Sequence, residues 1–132
     1  MDNEAIKQLD LLATFHYVVG GLIALFSCMP FLHVFMGLAM VSGTFFGATE
    51  GSAHPPLFIG WMFVIMGSVF ILLGWACAVC ILIAGNKLRK RQGRLFCMVV
   101  AGVECMFMPF GTVLGVFTLI ALNKDSVKAL FP

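Results

Sequence analysis

Charge is what this sequence has least of. Only 11% of its 132 residues are charged, and the 75 residues from Leu11 to Gly85 contain one charged side chain, Glu50. A soluble domain needs a polar surface, and a chain with 61% hydrophobic residues and a mean hydropathy of +1.06 does not supply one. The composition therefore excludes an ordinary soluble domain and predicts an integral membrane protein.

Signatures of catalysis and nucleotide binding are missing as well. The sequence contains no Walker loop, no dinucleotide fingerprint, no nucleophile elbow and no His-Glu-x-x-His motif. Its first ten residues are net acidic, which is unlike the start of a secretory signal peptide. Its basic residues are concentrated in one short segment, which does not indicate nucleic-acid binding. We expect no enzymatic activity, no cofactor and no nucleic-acid partner.

Apolar segments dominate what is present. They predict an all-α fold, a single transmembrane domain (residues 1–132) of four to five membrane-embedded helices. The first two segments together would make a helix of about 55 Å, whereas the hydrocarbon core is about 30 Å thick. We therefore predict that the chain turns back near Pro30, and that the uncharged third segment is a long central helix. The predicted helices are about 11–28, 31–47, 58–84, 95–108 and 110–122.

A second break lies at Pro109. The segment 95–122 is either one long helix kinked at Pro109 or two short helices folded as a hairpin. We favour the hairpin, because Gly111 follows the proline by two residues and because Met-Pro-Phe occurs at 29–31 and again at 108–110. The expected architecture is two Met-Pro-Phe hairpins flanking one central helix.

Positive charge orients the chain. Short Lys- and Arg-rich loops stay in the cytoplasm, so we predict that the loop 86–94 is cytoplasmic and that the polar loop 48–57 faces outward. With a hairpin at each break, the N-terminus lies outside and the C-terminus inside, where 124–131 forms an interfacial helix. The cationic side chains of the cytoplasmic loop are candidates for contact with lipid headgroups: Lys87, Arg89, Lys90, Arg91 and Arg94.

Glycines mark expected helix contacts. Gly60, Gly67 and Gly74 recur every seven residues, which keeps them on one stripe of a helix, and Gly111 and Gly115 form a second close pair. Glycine lets another helix approach the backbone closely. The stripe either packs inside one bundle or forms the seam of a homo-oligomer.

Glu104 is the one carboxylate inside a predicted apolar helix. An ionisable group in the membrane is costly unless it is paired, protonated or hydrated, and such groups often belong to ion or proton pathways. His16 and His33 are the available partners in the first two predicted helices. Glu104 either locks helices together or serves a proton or cation pathway with the two histidines. A shared polar cavity would favour the pathway, and a dry pair would favour the lock.

Cysteine and methionine content raises the question of a soft metal such as Cu(I). Cys77 and Cys80 form a Cys-x-x-Cys pair on one side of a helix, and they are the candidates for such a site. The pair lies within an apolar helix rather than after a strand, which does not fit thioredoxin-like chemistry. Cysteine and methionine are also ordinary packing residues in membranes, so we expect no metal site.

Four stretches resemble a known family: Phe15–Gly21, Met29–His33, Val100–Thr118 and Ser126–Phe131. Together they are similar to small multi-spanning bacterial inner-membrane proteins, a family with no assigned function. The resemblance implies a location in the inner membrane and no particular activity. We therefore expect a protein that acts by association, with itself or with a larger membrane partner. The alternative is a minimal proton or cation channel or transporter.

Overall fold

The computed structural model describes residues 2–44 and 56–131, and within these ranges every regular element is a helix. The prediction of an all-α fold is confirmed. Most of the predicted outer loop 48–57, and residues 45–47 of the second predicted helix, lie outside the described residues. The helices are α1 (Asp2–Phe26), α2 (Phe31–Val41), α3 (Leu57–Lys90), α4 (Arg94–Glu104), α5 (Phe110–Asn123) and α6 (Asp125–Lys128).

Two helical stretches are long and apolar enough to cross a membrane. They are Asn3–Val41, which includes the turn between α1 and α2, and Leu57–Lys90, which is α3. The chain divides into two compact units. Unit 1 consists of Met1–Leu22 and Cys77–Pro132, and unit 2 consists of Ile23–Ala76. Both α1 and α3 contribute residues to each unit.

In unit 2 the chain keeps its direction through the turn at residues 27–30. Position 27 faces Gly74 of α3, Val34 faces Gly67, and Val41 faces Gly60, so the pairing advances steadily on both sides of Pro30. A hairpin at Pro30 would have reversed this order. The predicted reversal is therefore wrong, and α2 continues in the direction in which α1 ends.

The backbone explains why Pro30 bends the helix without reversing it. The amide of Met29 donates to the carbonyl of Phe26, and the amide of Phe31 donates to that of Cys28, so tight helical turns bridge the break. Proline removes one amide donor and interrupts the regular hydrogen-bond ladder locally. Within unit 2, Gly60, Gly67 and Gly74 of α3 provide the surface on which the turn and α2 pack.

In unit 1 the two ends of the chain share one small core. Leu9 of α1, Leu88 of α3, Leu122 of α5 and Val127 of α6 are at most 1% exposed and belong to the same cluster. The start of α1 therefore lies at the same end of unit 1 as the basic end of α3. The prediction that the N-terminus lies on the opposite side is wrong, because it depended on the reversal at Pro30.

The second Met-Pro-Phe segment does reverse the chain. Gly111 of α5 packs on the backbone of Glu104, and Gly115 packs on that of Ala101, so α5 runs antiparallel to α4. At the open end of this hairpin, Nε of Arg94 donates to the carbonyl of Leu122 over 3.0 Å. A single kinked helix over 95–122 is thereby excluded.

Two predicted segments have different bounds in the structure. Helix α3 continues to Lys90, so the predicted basic loop 86–94 is reduced to three residues, with Arg91 (φ 56°) and Gly93 (φ 64°) in left-handed conformations. The predicted interfacial helix 124–131 is the shorter α6. Its Val127 is completely buried in the core of unit 1, so this apolar side chain faces protein, whereas Phe131 beyond the helix is only partly buried.

Candidate functional site

A buried histidine and a buried glutamate meet inside unit 1. His16 lies in α1 and Glu104 is the last residue of α4, and neither side chain has any exposed surface. Nε2 of His16 is 3.3 Å from Oε2 of Glu104. Of the residues proposed from sequence for an ion or proton pathway, these are the two that the structure brings together.

Glycines on two neighbouring helices make room for the pair. A Cβ atom at Gly85 of α3 would lie 3.1 Å from the Cβ of His16, and a Cβ at Gly111 of α5 would lie 2.5 Å from the carbonyl oxygen of Glu104. Both distances are shorter than ordinary contacts between carbon or oxygen and carbon. Sequence reasoning did not identify Gly85, although a glycine within an uncharged helix is the usual sign of a close helix contact.

A backbone contact fixes the orientation of the imidazole. Nδ1 of His16 is 2.8 Å from the carbonyl oxygen of Leu12, one helical turn earlier. Because a carbonyl oxygen only accepts hydrogen bonds, Nδ1 carries a hydrogen and donates it. Nε2 is then the nitrogen that faces Glu104, either as a lone pair or, in the imidazolium ion, as a second donor.

One proton shared by the two side chains removes the electrostatic repulsion between Glu104 and His16. If Glu104 were ionised and His16 neutral, a carboxylate would face a lone pair in a dry interior, at a cost of several kcal/mol. A carboxyl group that donates to Nε2, or an imidazolium that donates to a carboxylate, avoids this repulsion. The pair can therefore hold one proton, and it ties α1 to α4 in either form.

The contact has the distance of an ion pair but not the angles of a hydrogen bond. Nε2 of His16 and both carboxylate oxygens of Glu104 have no hydrogen-bond partner among the described residues. The hydroxyl of Thr118 in α5 is likewise buried without one. These four atoms are the buried side-chain polar atoms left unsatisfied in the described part of unit 1. The pair is thus close without being fully satisfied.

His33 lies elsewhere. It is an exposed residue of unit 2, where its ring stacks on Phe63 with centroids 6.1 Å apart and planes 17° apart. With Pro30, Met66 and Phe70 it lines a groove of about 150 Å³ beside Gly67. Of the three residues proposed for a pathway, Glu104 and His16 are therefore in contact in unit 1, and His33 belongs to unit 2.

The predicted packing glycines lie at helix contacts within their units. Gly60 faces Val41, Gly67 faces Val34 and Gly74 faces Ser27, so the stripe on α3 is occupied by α2 and by the turn that precedes it in the same chain. Gly111 and Gly115 lie between α5 and α4. Internal packing therefore accounts for these glycines, and a homo-oligomer seam along them is not required.

The basic side chains fall into different environments. Nζ of Lys87 lies 5.4 Å from the ring centroid of Phe96, within the range of a cation–π contact. Arg94 is partly buried and contacts the end of α5. Arg89 and Lys90 are exposed, and Arg91 is intermediate.

The cysteines are all free. Cys77 is partly buried and Cys80 is exposed on α3. Within residues 2–44 and 56–131, no three histidine, cysteine, aspartate or glutamate side chains are grouped so that they could hold a metal ion.

Comparisons with known proteins return nothing to which the site could be related. No protein-family model matches the chain, and no curated protein or solved structure matches it.

Proposed function

We propose that this chain is a small integral protein of the bacterial inner membrane that acts by association within the bilayer. Two helical stretches of membrane-spanning length support the location. Only 17% of the most apolar window of each stretch is buried, whereas the core helix of a soluble protein would be mostly buried. Large apolar side chains on both stretches are exposed, and lipid is the solvent that such a surface requires.

The topology we propose places the basic end of α3 in the cytoplasm. The N-terminus is then also cytoplasmic, because Leu9 and Leu88 share one core. The α1–α2 stretch crosses outward and α3 returns. Helices α4 and α5, with 11 and 14 residues, measure about 16 and 21 Å, too short for a hydrocarbon core of about 30 Å. They form a re-entrant hairpin that enters and leaves on the cytoplasmic side.

Two glycines carry the proposal of association. Gly21 of α1 and Gly102 of α4 lie inside helices, are exposed, and would place an added Cβ in open space, with no atom within 4 Å. Packing inside the chain therefore does not require glycine at either position. Close approach of a helix from a second copy, or from a larger membrane protein, does require it.

Oligomeric mass in nanodiscs tests this proposal. We expect wild type to be larger than a monomer, and Gly21→Leu or Gly102→Leu to shift it toward the monomer while circular dichroism still shows a folded helical protein. Phe15→Leu, at an exposed apolar position about 120° around the same helix from Gly21, is the control and should leave the mass unchanged. A monomeric wild type that also recovers no membrane partner by crosslinking from intact cells contradicts association.

A second candidate function is proton or cation transport through Glu104 and His16. The observation that favours it is the unsatisfied pair, which can hold one proton. Glutamine forms hydrogen bonds but does not titrate, so Glu104→Gln would keep the fold and abolish flux. Liposomes containing wild type are compared with empty liposomes and with Glu104→Gln liposomes. Wild-type liposomes no leakier to protons, K⁺ or divalent cations than empty ones exclude this candidate.

A further inference from the structure

A groove of about 300 Å³ lies in unit 1 where α4 begins and α6 ends. Its lining combines two cationic side chains with three apolar ones: Arg94, Lys128, Leu95, Met98 and Phe131. We propose that the groove binds one anionic phospholipid, with its phosphate between Arg94 and Lys128 and an acyl chain along the apolar wall. The proposal depends on the membrane location argued above.

Two side chains, Arg94 and Lys128, form the cationic end of the groove, and each is oriented by its own contacts. Nε of Arg94 donates to the carbonyl of Leu122 at 3.0 Å, and Nη2 is 3.4 Å from Oδ1 of Asn123. These contacts orient the guanidinium and leave its Nη1 hydrogens for another acceptor. Because the guanidinium is planar and permanently charged, it suits phosphate oxygens.

Lys128 adds a second positive charge with spare donors. Its Nζ is 3.0 Å from Oδ1 of Asp125. The Asp125 side chain is 97% exposed, so water screens its carboxylate. An ammonium group has three hydrogens, and the remaining two can donate to a phosphate. The groove therefore presents two cations against one screened carboxylate, and its charge complements an anion.

The apolar side chains of the groove favour a phospholipid over a free anion. Leu95, which follows Arg94 directly, is 77% exposed. Met98 lies one helical turn further along α4, and Phe131 packs with it against the core of unit 1. A free phosphate gains nothing from these side chains, whereas a phospholipid places its phosphate and its acyl chain on the two parts of the groove at once.

The lining of the groove also distinguishes a specific lipid site from the non-specific attraction of basic residues to an anionic membrane. Lys90 is exposed at the end of α3 and does not line the groove. Such residues attract any anionic membrane surface through charge alone. Lys128, which the sequence analysis did not include among headgroup contacts, lines the groove directly. This difference provides a matched pair of variants that remove the same charge.

Native mass spectrometry of the full chain released from detergent tests the site. Purified wild type is mixed with phosphatidylglycerol or with phosphatidylcholine, and retained lipid is counted per chain. We expect one phosphatidylglycerol to be retained in preference to phosphatidylcholine. Lys128→Gln should weaken retention about tenfold, the effect of one charge-assisted contact, and Lys90→Gln should leave it nearly unchanged. Inorganic phosphate in large excess should displace little lipid.

Three results would overturn the lipid site. They are equal retention of the two lipids, an equal loss for Lys90→Gln and Lys128→Gln, and complete displacement by inorganic phosphate, which would indicate an anion site. Circular dichroism of both variants is recorded as the control for folding. Alkaline carbonate extraction of cell membranes tests the location separately. A chain that carbonate releases contradicts the membrane proposal, whereas a chain that stays but shows no lipid preference contradicts the lipid site alone.

Discussion

Nε2 of His16 lies 3.3 Å from Oε2 of Glu104, and this contact joins the first long helix to the tip of the α4–α5 hairpin. Both side chains are completely buried, and Nδ1 of His16 is held by the carbonyl of Leu12. The pair thus connects two segments that are 88 residues apart in the sequence, at positions 16 and 104. Its removal should loosen the hairpin from α1.

Glu104→Ala should lower the free energy of unfolding by about 1 to 3 kcal/mol, the usual cost of leaving a buried polar partner unpaired. Glu104→Gln should cost less, because its amide can donate to Nε2 of His16. Melting temperatures in detergent provide the measurement. An alanine variant as stable as wild type would show that the contact contributes nothing.

Replacing both members of the pair should be milder than replacing one. His16→Leu combined with Glu104→Leu removes both polar groups, and apolar replacement of a buried ion pair is often neutral or stabilising. Glu104→Leu alone leaves His16 unpaired in a dry interior. We expect the double variant to melt above the Glu104→Leu single variant. Additive losses from the two single changes would mean that the side chains are not coupled.

Gly67→Leu should destabilise unit 2. A Cβ atom at this position would lie 2.8 Å from Cγ2 of Val34 and 3.2 Å from the carbonyl oxygen of Pro30, and overpacking of this kind typically costs about 1 to 3 kcal/mol. Val69→Leu, at an exposed apolar position of the same helix and the same unit, is the control and should melt as wild type does. If thermal melting of Gly67→Leu equals that of wild type, the contact between α2 and α3 is not as close as described.

Arg94→Gln should open the base of the α4–α5 hairpin. It removes a charged donor from the carbonyl of Leu122, a contact worth about 1 to 2 kcal/mol for a partly buried arginine. Hydrogen exchange in the last turn of α5 should then become faster. Arg89→Gln, at an exposed position, should not change the exchange rate. Equal rates in wild type and Arg94→Gln would contradict the role of this contact.

Cysteine labelling can decide the proposed topology. In a background without native cysteines, single cysteines replace Asn3, Gln92 and Ser52. A membrane-impermeant maleimide added to intact cells should label position 52 and spare positions 3 and 92, because five cationic groups resist translocation and the N-terminus packs at their end. Permeabilised cells should be labelled at all three positions. Labelling of position 3 in intact cells would place the N-terminus outside, and labelling of position 92 would invert the topology.

The sequence by itself determined the class of structure. The long apolar segments predicted an all-α fold, and every regular element in the described residues is a helix. The sequence also located both breaks, at Pro30 and Pro109, because proline cannot continue a regular hydrogen-bond ladder. The cluster of cations after Gly85 marked the end of α3, which lies in unit 1.

Only the tertiary structure decided what each break does. The same Met-Pro-Phe triplet bends the chain at Pro30 and reverses it at Pro109. A missing amide donor interrupts a helix without specifying where the chain goes next. The direction is set by the surface on which the following helix packs: Gly60 and Gly67 of α3 receive α2, whereas Gly111 of α5 packs back on α4. Long-range packing also decided that Glu104 contacts His16. A contact between distant segments depends on how the helices pack and not on their local sequence.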